Sequence, residues 1–453
     1  MNFIRDVMKV FNANIITLIA GVIIGFILPA CLPVTQYADI KTYTLYLSLI
    51  GIFHGGFVDG IFLKYGGKKA KELDTQELLS EKRFLLYFQA LAALIVALIS
   101  CQLANFIIFA FALAIIPMNM ISFYAFTYQA LGEFTLYTRI MYMTSFGTLL
   151  IQLILILFKV QRSFFYILST VLIYYSVYFA LEWFKPFTSG NRLTWDFKDY
   201  KQCFQAGLFI LIANFAMILF YSIDRWIVRG FFDVNHFAFY AFAISMMTVV
   251  TTLTNSLTTT FYPYLAKRKN IQKLNQIKDY LLIIGICASG AFFVFRIIVK
   301  RFIIKYIPSL NIISILLAGL PAIIVINVLY INIYKVEQRQ SKYLMTVVTL
   351  LALSVSAIFI TVSLFHDYRS IALITTASFY TWFLGSAHDF KSIHISPRNI
   401  LYLATFLAIY TICVLYCNDI EGIIIYYSAI AVLTHIFYRD ELRLFRILLL
   451  RKR

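Results

Sequence analysis

The sequence predicts an all-α polytopic membrane protein with about 14 transmembrane helices, built as two six-helix lobes followed by two C-terminal helices. Three observations predict it. Of 453 residues, 61% are hydrophobic and 13% charged, with mean hydropathy +0.82, whereas a soluble domain carries about 45–50% apolar and about 25% charged residues. Apolar runs near the ~20 residues needed to cross a bilayer recur along the whole chain. Lys and Arg gather in every second connection between those runs.

In order, the runs fall roughly at 12–32, 40–63, 84–101, 104–130, 138–158, 163–184, 203–228, 237–262, 279–299, 307–333, 343–365, 370–388, 399–416 and 420–438. Arg5 and Lys9 precede the first, which is long enough to span and reads as a retained helix rather than a cleaved signal. The turn at Gln102–Asn105 is the shortest connection. With both termini in the cytoplasm, cytoplasmic segments hold 29 of the 39 Lys and Arg and external segments hold 8, with Arg225 and Arg296 in spans. This excess predicts the N-in, C-in orientation of an inner-membrane protein and explains the net charge of +18 without nucleic acid. Lys159 with Arg162, and Lys300, Arg301 with Lys305, run against the rule. The six cysteines lie in or beside apolar runs, with neither zinc-ligand spacing nor a disulfide framework.

A weak repeat sets the lobes. Span one, Tyr37–Ala38, Tyr43 and a second span ending at Lys64 are echoed near 200 residues later by span seven, Phe237–Ala238, Tyr240 and a span ending at Lys267. The expected division is 1–190, 191–397, and 398–453 for two extra helices and a basic tail. Transporters are commonly built from such repeats. Connections are short, so any chemistry must lie inside the bundle.

The stretch GGFVDGIFLKYGGKK, Gly55 to Lys69, is not a P-loop. Gly60 and Gly66 are one residue too far apart, and no hydroxyl follows the lysines. It is the end of span two, where Gly51/Gly55 and Gly56/Gly60 are small-xxx-small pairs that let helices approach. Asp59 stands one turn from Lys64, which suggests an interfacial ion pair; gating or cation coupling is the alternative for Asp59 and His54. In span seven, Asn214, Tyr221 and Arg225 share one face with Asp224 beside them. Either Asp224–Arg225 sits at the outer interface with Trp226 as anchor, or the pair faces water, where Arg225 can attract a phosphate. Span eight carries TTLTNSLTTT, residues 251–260, with Ser245, Thr252, Ser256 and Thr259 on one face and Asn255 near it. This reads as a hydroxyl-lined passage, with helix packing as the alternative. Arg296 is expected to snorkel to the headgroups. Asn327 and Asn332 with Pro321 suggest a kinked span ten. No catalytic signature, metal site or cofactor motif is present: there is no H-E-x-x-H, G-x-S-x-G or C-x-x-C.

GGFVDGIFLKYGGK at the end of span two is similar to the glycine–aspartate–glycine ending of bacterial oligosaccharide flippases. Asn214 to Phe232, with FAFYAFAISM and NSLTTTFYPYLAKRK, resembles their span seven–eight region. The resemblance is to O-antigen and capsular polysaccharide flippases of the multidrug/oligosaccharidyl-lipid/polysaccharide (MOP) exporter superfamily. Its specific residues cover about 51–68 and 207–269. It implies a non-enzymatic flippase with two lobes around a cavity that opens alternately. The implied substrate is an undecaprenyl-diphosphate-linked oligosaccharide, with membrane lipids and polysaccharide polymerase machinery as further partners. Arg225, Asn214, Tyr221, Thr252, Asn255 and Ser256 are the candidate substrate contacts. Asp59, Asp224 and His54 are the candidate gating or ion-coupling residues. Span one lacks Arg and Lys, a departure from the cationic cavities common in the family. A cation-coupled drug exporter of the same superfamily, a membrane-embedded polymerase and a scaffold protein are the competing readings.

Overall fold

The computed structural model describes residues 2–68, 72–184, 196–267, 271–390, 393, 395–439 and 441, with the side chains of 2–8 and 253–273 outside that description. Among the described residues there are helices and turns and no strand. Eleven helices among the described residues are long and apolar enough to cross a membrane, and two bent pairs bring the number up to 13. The expected run 370–388 is also a helix, Tyr368–Asp389, long enough to cross but more polar than the others. The chain is a multi-pass membrane protein. It forms two compact units, Met1–Arg229 and Gly230–Arg453.

The first unit runs α1 (Asn2–Cys31), α2 (Val34–Leu47), a 3-10 turn (Ile50–His54), α3 (Phe57–Tyr65), α4 (Thr75–Gln102), α5 (Phe106–Ala130), α6 (Phe134–Leu157), α7 (Ser163–Trp183) and most of α8 (Phe197–Phe231). Caps explain its sharp corners. Asp74 accepts from the N–H groups of Gln76 and Glu77 at the start of α4. Asn105 accepts from Ile107 and Ile108 at the start of α5. That cap ends the very short turn after Gln102 and gives α5 its own orphan-donor partner. α1 lies along α6, tied by Lys9 to Thr135 at 2.7 Å and by Thr17 to Ser145 at 2.8 Å.

The expected second span is broken. α2 and α3 meet at 61°. Gly55 and Gly56 take φ 58° and 87° there, a left-handed conformation that cannot continue a right-handed helix and that side chains resist. Beyond the break α3 runs against α8. A Cβ on Gly207 would stand 1.9 Å from Gly56 O, and one on Gly60 would stand 2.0 Å from Cys203 O. The two backbones touch because both lack side chains at the crossing. Phe57, Val58, Ile61 and Tyr65 then join Tyr124 and Tyr200 in a buried core.

The second unit runs α9 (Val234–Lys267), α10 (Ile271–Ser289), α11 (Ala291–Phe302), a 3-10 turn (Ile304–Ser309), α12 (Leu310–Ala318), α13 (Leu320–Val325), a π turn (Ile326–Tyr330), α14 (Ile331–Val336), α15 (Gln340–Phe365), α16 (Tyr368–Asp389), α17 (Pro397–Tyr416) and α18 (Asp419–Phe437). The kink expected at Pro321 is present: the helices on either side of Gly319 meet at 46°. Gly285 of α10 fits against the Pro321 backbone, where a Cβ would sit at 2.5 Å. The repeat shows in burial. Tyr37 and Ala38 open α2 fully buried, and Phe237, Ala238 and Tyr240 do the same in α9.

Arg296 overturns the snorkelling expectation. It is 7% exposed. Its guanidinium donates to Cys417 O at 3.0 Å and Asn418 O at 2.7 Å and lies 2.8 Å from Asp419. It closes the orphan carbonyls at the end of α17, where a cation also complements the helix dipole. Lys300 pairs with the same Asp419 at 2.8 Å, which accounts for one of the misplaced external cations.

Gly207→Ala should force α3 from α8 and lower stability by about 1–3 kcal/mol. Gly25→Ala on α1, where nothing lies within 4 Å of the new Cβ, should be neutral or stabilising. Thermal unfolding of the two purified variants in detergent checks the contrast; equal melting temperatures would refute the contact.

Candidate functional site

At the C-terminal end of α8 three cations assemble. Arg225 donates to Tyr221 O at 2.6 Å, and its Nε lies 3.7 Å from Asp224 Oδ1. The helical i,i+4 spacing that joins Tyr221 and Arg225 on one face produces this contact. Asp224 is almost fully buried, and Arg225 is about a quarter exposed. Asp224 also accepts from the Arg225 backbone N–H at 2.7 Å. One turn further, Arg229 donates to Thr42 Oγ1 of α2 at 3.0 Å. Lys41, beside Thr42, lies over the Tyr37 ring at 5.3 Å and within electrostatic range of Arg225. Asp39 sits within range of Arg229 and accepts from the Ser163 hydroxyl at 2.9 Å. Lys41, Arg225 and Arg229 thus outnumber Asp39 and Asp224. Trp226 packs on Tyr46 of α2 at 5.3 Å.

Arg225 and Asp224 are among the sequence candidates; Lys41, Arg229 and Asp39 are not. The signal was YADIKTY, residues 37–43: a Lys four residues after Tyr37 and an Asp two before it, inside an otherwise packed segment. Asn214, two turns back along α8, is exposed.

The opposite end of α8 holds a second ionic group. Lys64 of α3 lies 2.8 Å from Glu77, 2.6 Å from Glu81 and 2.6 Å from Asp199. Glu81 is fully buried and also accepts from Tyr65 OH at 2.8 Å. One ammonium therefore joins α3, α4 and α8. Glu81, Asp199 and Cys203 bring ligand atoms within 4.8 Å of one another, and Lys64 already faces both carboxylates. Asp59 does not pair with Lys64, as its one-turn spacing suggested. It sits at the first turn of α3 with Oδ2 3.9 Å from His54 Nδ1. His54 Nδ1 accepts from Gly56 N–H at 3.2 Å. Both side chains are buried.

In α9 the described hydroxyls turn onto their own helix. Ser245 donates to Ala241 O at 2.9 Å, Thr248 to Ile244 O at 2.8 Å and Thr252 to Thr248 O at 2.7 Å. Such back-bonding satisfies each donor and leaves the oxygen as an acceptor. The side chains of Asn255, Ser256 and Thr259 lie outside the described residues.

The fold is that of known membrane transporters. Over 96% of this chain and 99% of the other, it superposes on a solved structure of the lipid II flippase MurJ in an inward closed conformation, with TM-score 0.71 and 14% identity. Over 84% of this chain and 94% of the other, it superposes on an inward-facing multidrug resistance MATE family transporter of the MOP superfamily, with TM-score 0.58 and 10% identity. No family model and no curated protein matches the sequence.

Removing Lys64 leaves Glu81 buried and unpaired, so Lys64→Met should destabilise by about 3–5 kcal/mol. Lys64→Met with Glu81→Gln should recover part of that loss. A double-mutant cycle by denaturant or thermal unfolding checks the coupling; strict additivity would refute it.

Proposed function

We propose that this protein is a flippase of the bacterial inner membrane. In this reading it moves undecaprenyl-diphosphate-linked oligosaccharide repeat units to the outer leaflet by alternating access, for O-antigen or capsule assembly. The observation that carries the reading is the cationic group Lys41, Arg225 and Arg229 inside a fold shared with a lipid II flippase. A diphosphate needs several donors at once. A guanidinium meets two phosphate oxygens in a planar fork, and an ammonium adds a point charge. The oligosaccharide headgroup cannot cross hydrocarbon unaided, while its lipid tail need not leave it. No covalent step is required.

The distribution of basic residues favours both termini in the cytoplasm, which puts the Arg225 end of α8 at the outer side. The cations then stand near the destination of the headgroup. An inside-negative potential favours the same direction for an anion, by about 2.3 kcal/mol per unit charge per 100 mV. Asn214, Tyr221 and Thr252, with Asn255 and Ser256, are assigned to the sugar path, and Asp224 to gating. A polysaccharide polymerase would receive the product. Export of small organic cations is the second reading, favoured by the MATE likeness and by the acids Asp39, Asp59 and Asp224. The excess of cations over acids beside Arg225 ranks it below the first.

Depletion of the protein should leave a completed undecaprenyl-diphosphate repeat unit on the cytoplasmic leaflet, read by mass spectrometry of lipid-linked oligosaccharides. Intact surface polysaccharide with no accumulation would refute the flippase. Arg225→Ala should weaken binding of the lipid diphosphate roughly 10- to 100-fold, the loss of about 1.5–3 kcal/mol for a charged hydrogen bond. Unchanged binding would remove Arg225 from the site.

A further inference from the structure

The break between α2 and α3 holds two buried groups that can share a proton. His54 ends the 3-10 turn, Gly55 and Gly56 make the left-handed corner, and Asp59 lies in the first turn of α3. His54 is 6% exposed and Asp59 is 5% exposed. The single lone pair of a neutral imidazole is on Nδ1 here, because Nδ1 accepts from Gly56 N–H at 3.2 Å. The ring proton is then on Nε2. Asp59 Oδ2 stands 3.9 Å from the same Nδ1.

We propose that His54 and Asp59 form a proton-binding site whose occupancy sets the bend between α2 and α3 and, through α2, the position of Lys41 beside Arg225. The proposal deepens the transport reading above and rests on it for the coupling to substrate.

The chemistry is a competition for one lone pair. A proton entering between the two groups can sit on Nδ1 and be donated to Oδ2, or sit on Oδ2 and be donated to Nδ1. Either way the Nδ1 lone pair is used, and Gly56 N–H loses its acceptor. One proton is taken from water, and the charge of the pair changes from −1 to 0. The new hydrogen bond needs a separation near 2.8 Å, so the 3.9 Å gap must close by about 1 Å. The hydrogen bond that holds the corner opens as the one that spans it forms.

The surroundings decide which side moves. α3 is pinned to α8 by backbone contact at Gly56, Gly60, Cys203 and Gly207. The 3-10 turn is held more lightly, by the Gln89 amide of α4 on Phe53 O at 3.0 Å and the Asn119 amide of α5 on Ile50 O at 3.3 Å. Displacement therefore falls on the turn and on α2, which carries Lys41 and Thr42 to Arg225 and Arg229. Glu81 on α4 and Asp199 on α8 are both bound by Lys64, further along α3. Cys203 of α8 sits against Gly60 with its thiol on Glu81 at 3.9 Å. α5 faces the break with the neutral Asn119. None of these groups competes for the imidazole.

The test uses the full-length protein in nanodiscs with 15N-labelled histidine. The His54 resonance is identified by its loss in His54→Gln. Acidification from about pH 8 to about pH 5 should carry His54 from the Nε2–H form to a proton-loaded form. Amide exchange at Gly56 should quicken over the same range, and Asp59→Asn should lower the midpoint by at least about one pH unit. A His54 resonance that keeps its neutral form throughout would overturn the site. So would titration with constant Gly56 exchange, or a midpoint indifferent to Asp59→Asn. Should a variant fail to fold, the wild-type titration and its amide exchange still decide. Affinity for inorganic pyrophosphate, measured in parallel, should change several-fold across that range in the wild type and stay flat in His54→Gln. A flat wild-type affinity would overturn the coupling. Absence of pyrophosphate binding at every pH would instead strike the anion reading of Lys41 and Arg225, leaving the proton site to be judged by the histidine titration alone.

Discussion

Backbone contact between α3 and α8 is the constraint on which the first unit depends. Gly56 and Gly60 face Cys203 and Gly207 with no room for a Cβ at the crossing. In a bilayer, helices gain little from hiding apolar surface from one another, so close packing and buried polar links hold them. Here both act on the same pair. The glycines bring the backbones together, and Lys64 then reaches Asp199 of α8 and Glu81 of α4. The ionic group repays the desolvation of Glu81 because Lys64 and Tyr65 satisfy its two oxygens separately.

With one end of α8 fixed in this way, its other end becomes a chemically different place. The charged residues of α8 gather at its two ends, Lys198, Asp199 and Lys201 on one side and Asp224, Arg225 and Arg229 on the other. In the first group Asp199 is held by Lys64 of α3. The second is balanced towards cations and tied to α2 by Arg229 and Thr42. On α2 and α3 a lysine stands on each side of the bend at Gly55–Gly56, Lys41 before it and Lys64 after it. A broken span beside a continuous one thus joins a rigid ionic knot to a cationic group through a corner.

Much of this architecture is legible in the sequence, because length and hydropathy mark the spans. Burial of Tyr37–Ala38 and Phe237–Ala238 follows the repeat that the sequence shows. The fine structure was less legible for a physical reason: polar partners in a bundle come from distant chain positions. Asp59 and Lys64 look paired on a continuous helix, yet Lys64 is claimed by Glu77, Glu81 and Asp199, and the break turns Asp59 towards His54. Arg296 looks like a headgroup anchor until Asp419 and the carbonyls after α17 are brought to it. Lys41 and Arg229 join the Arg225 group only once α2 and α8 are brought together.

The same logic separates charges whose partners are all in place from one with donors to spare. Arg296 satisfies three carbonyls and a carboxylate, and Lys64 satisfies three carboxylates; neither has capacity left for a ligand. Arg225 differs. It spends one nitrogen on Tyr221 O of its own helix, stands too far from Asp224 for a direct hydrogen bond at Nε, and keeps about a quarter of its side chain exposed. A guanidinium with donors to spare beside a second cation, offset by Asp224 at 3.7 Å, has room to take a further anion. That imbalance, more than the likeness of fold, is what supports the proposal of an anionic headgroup.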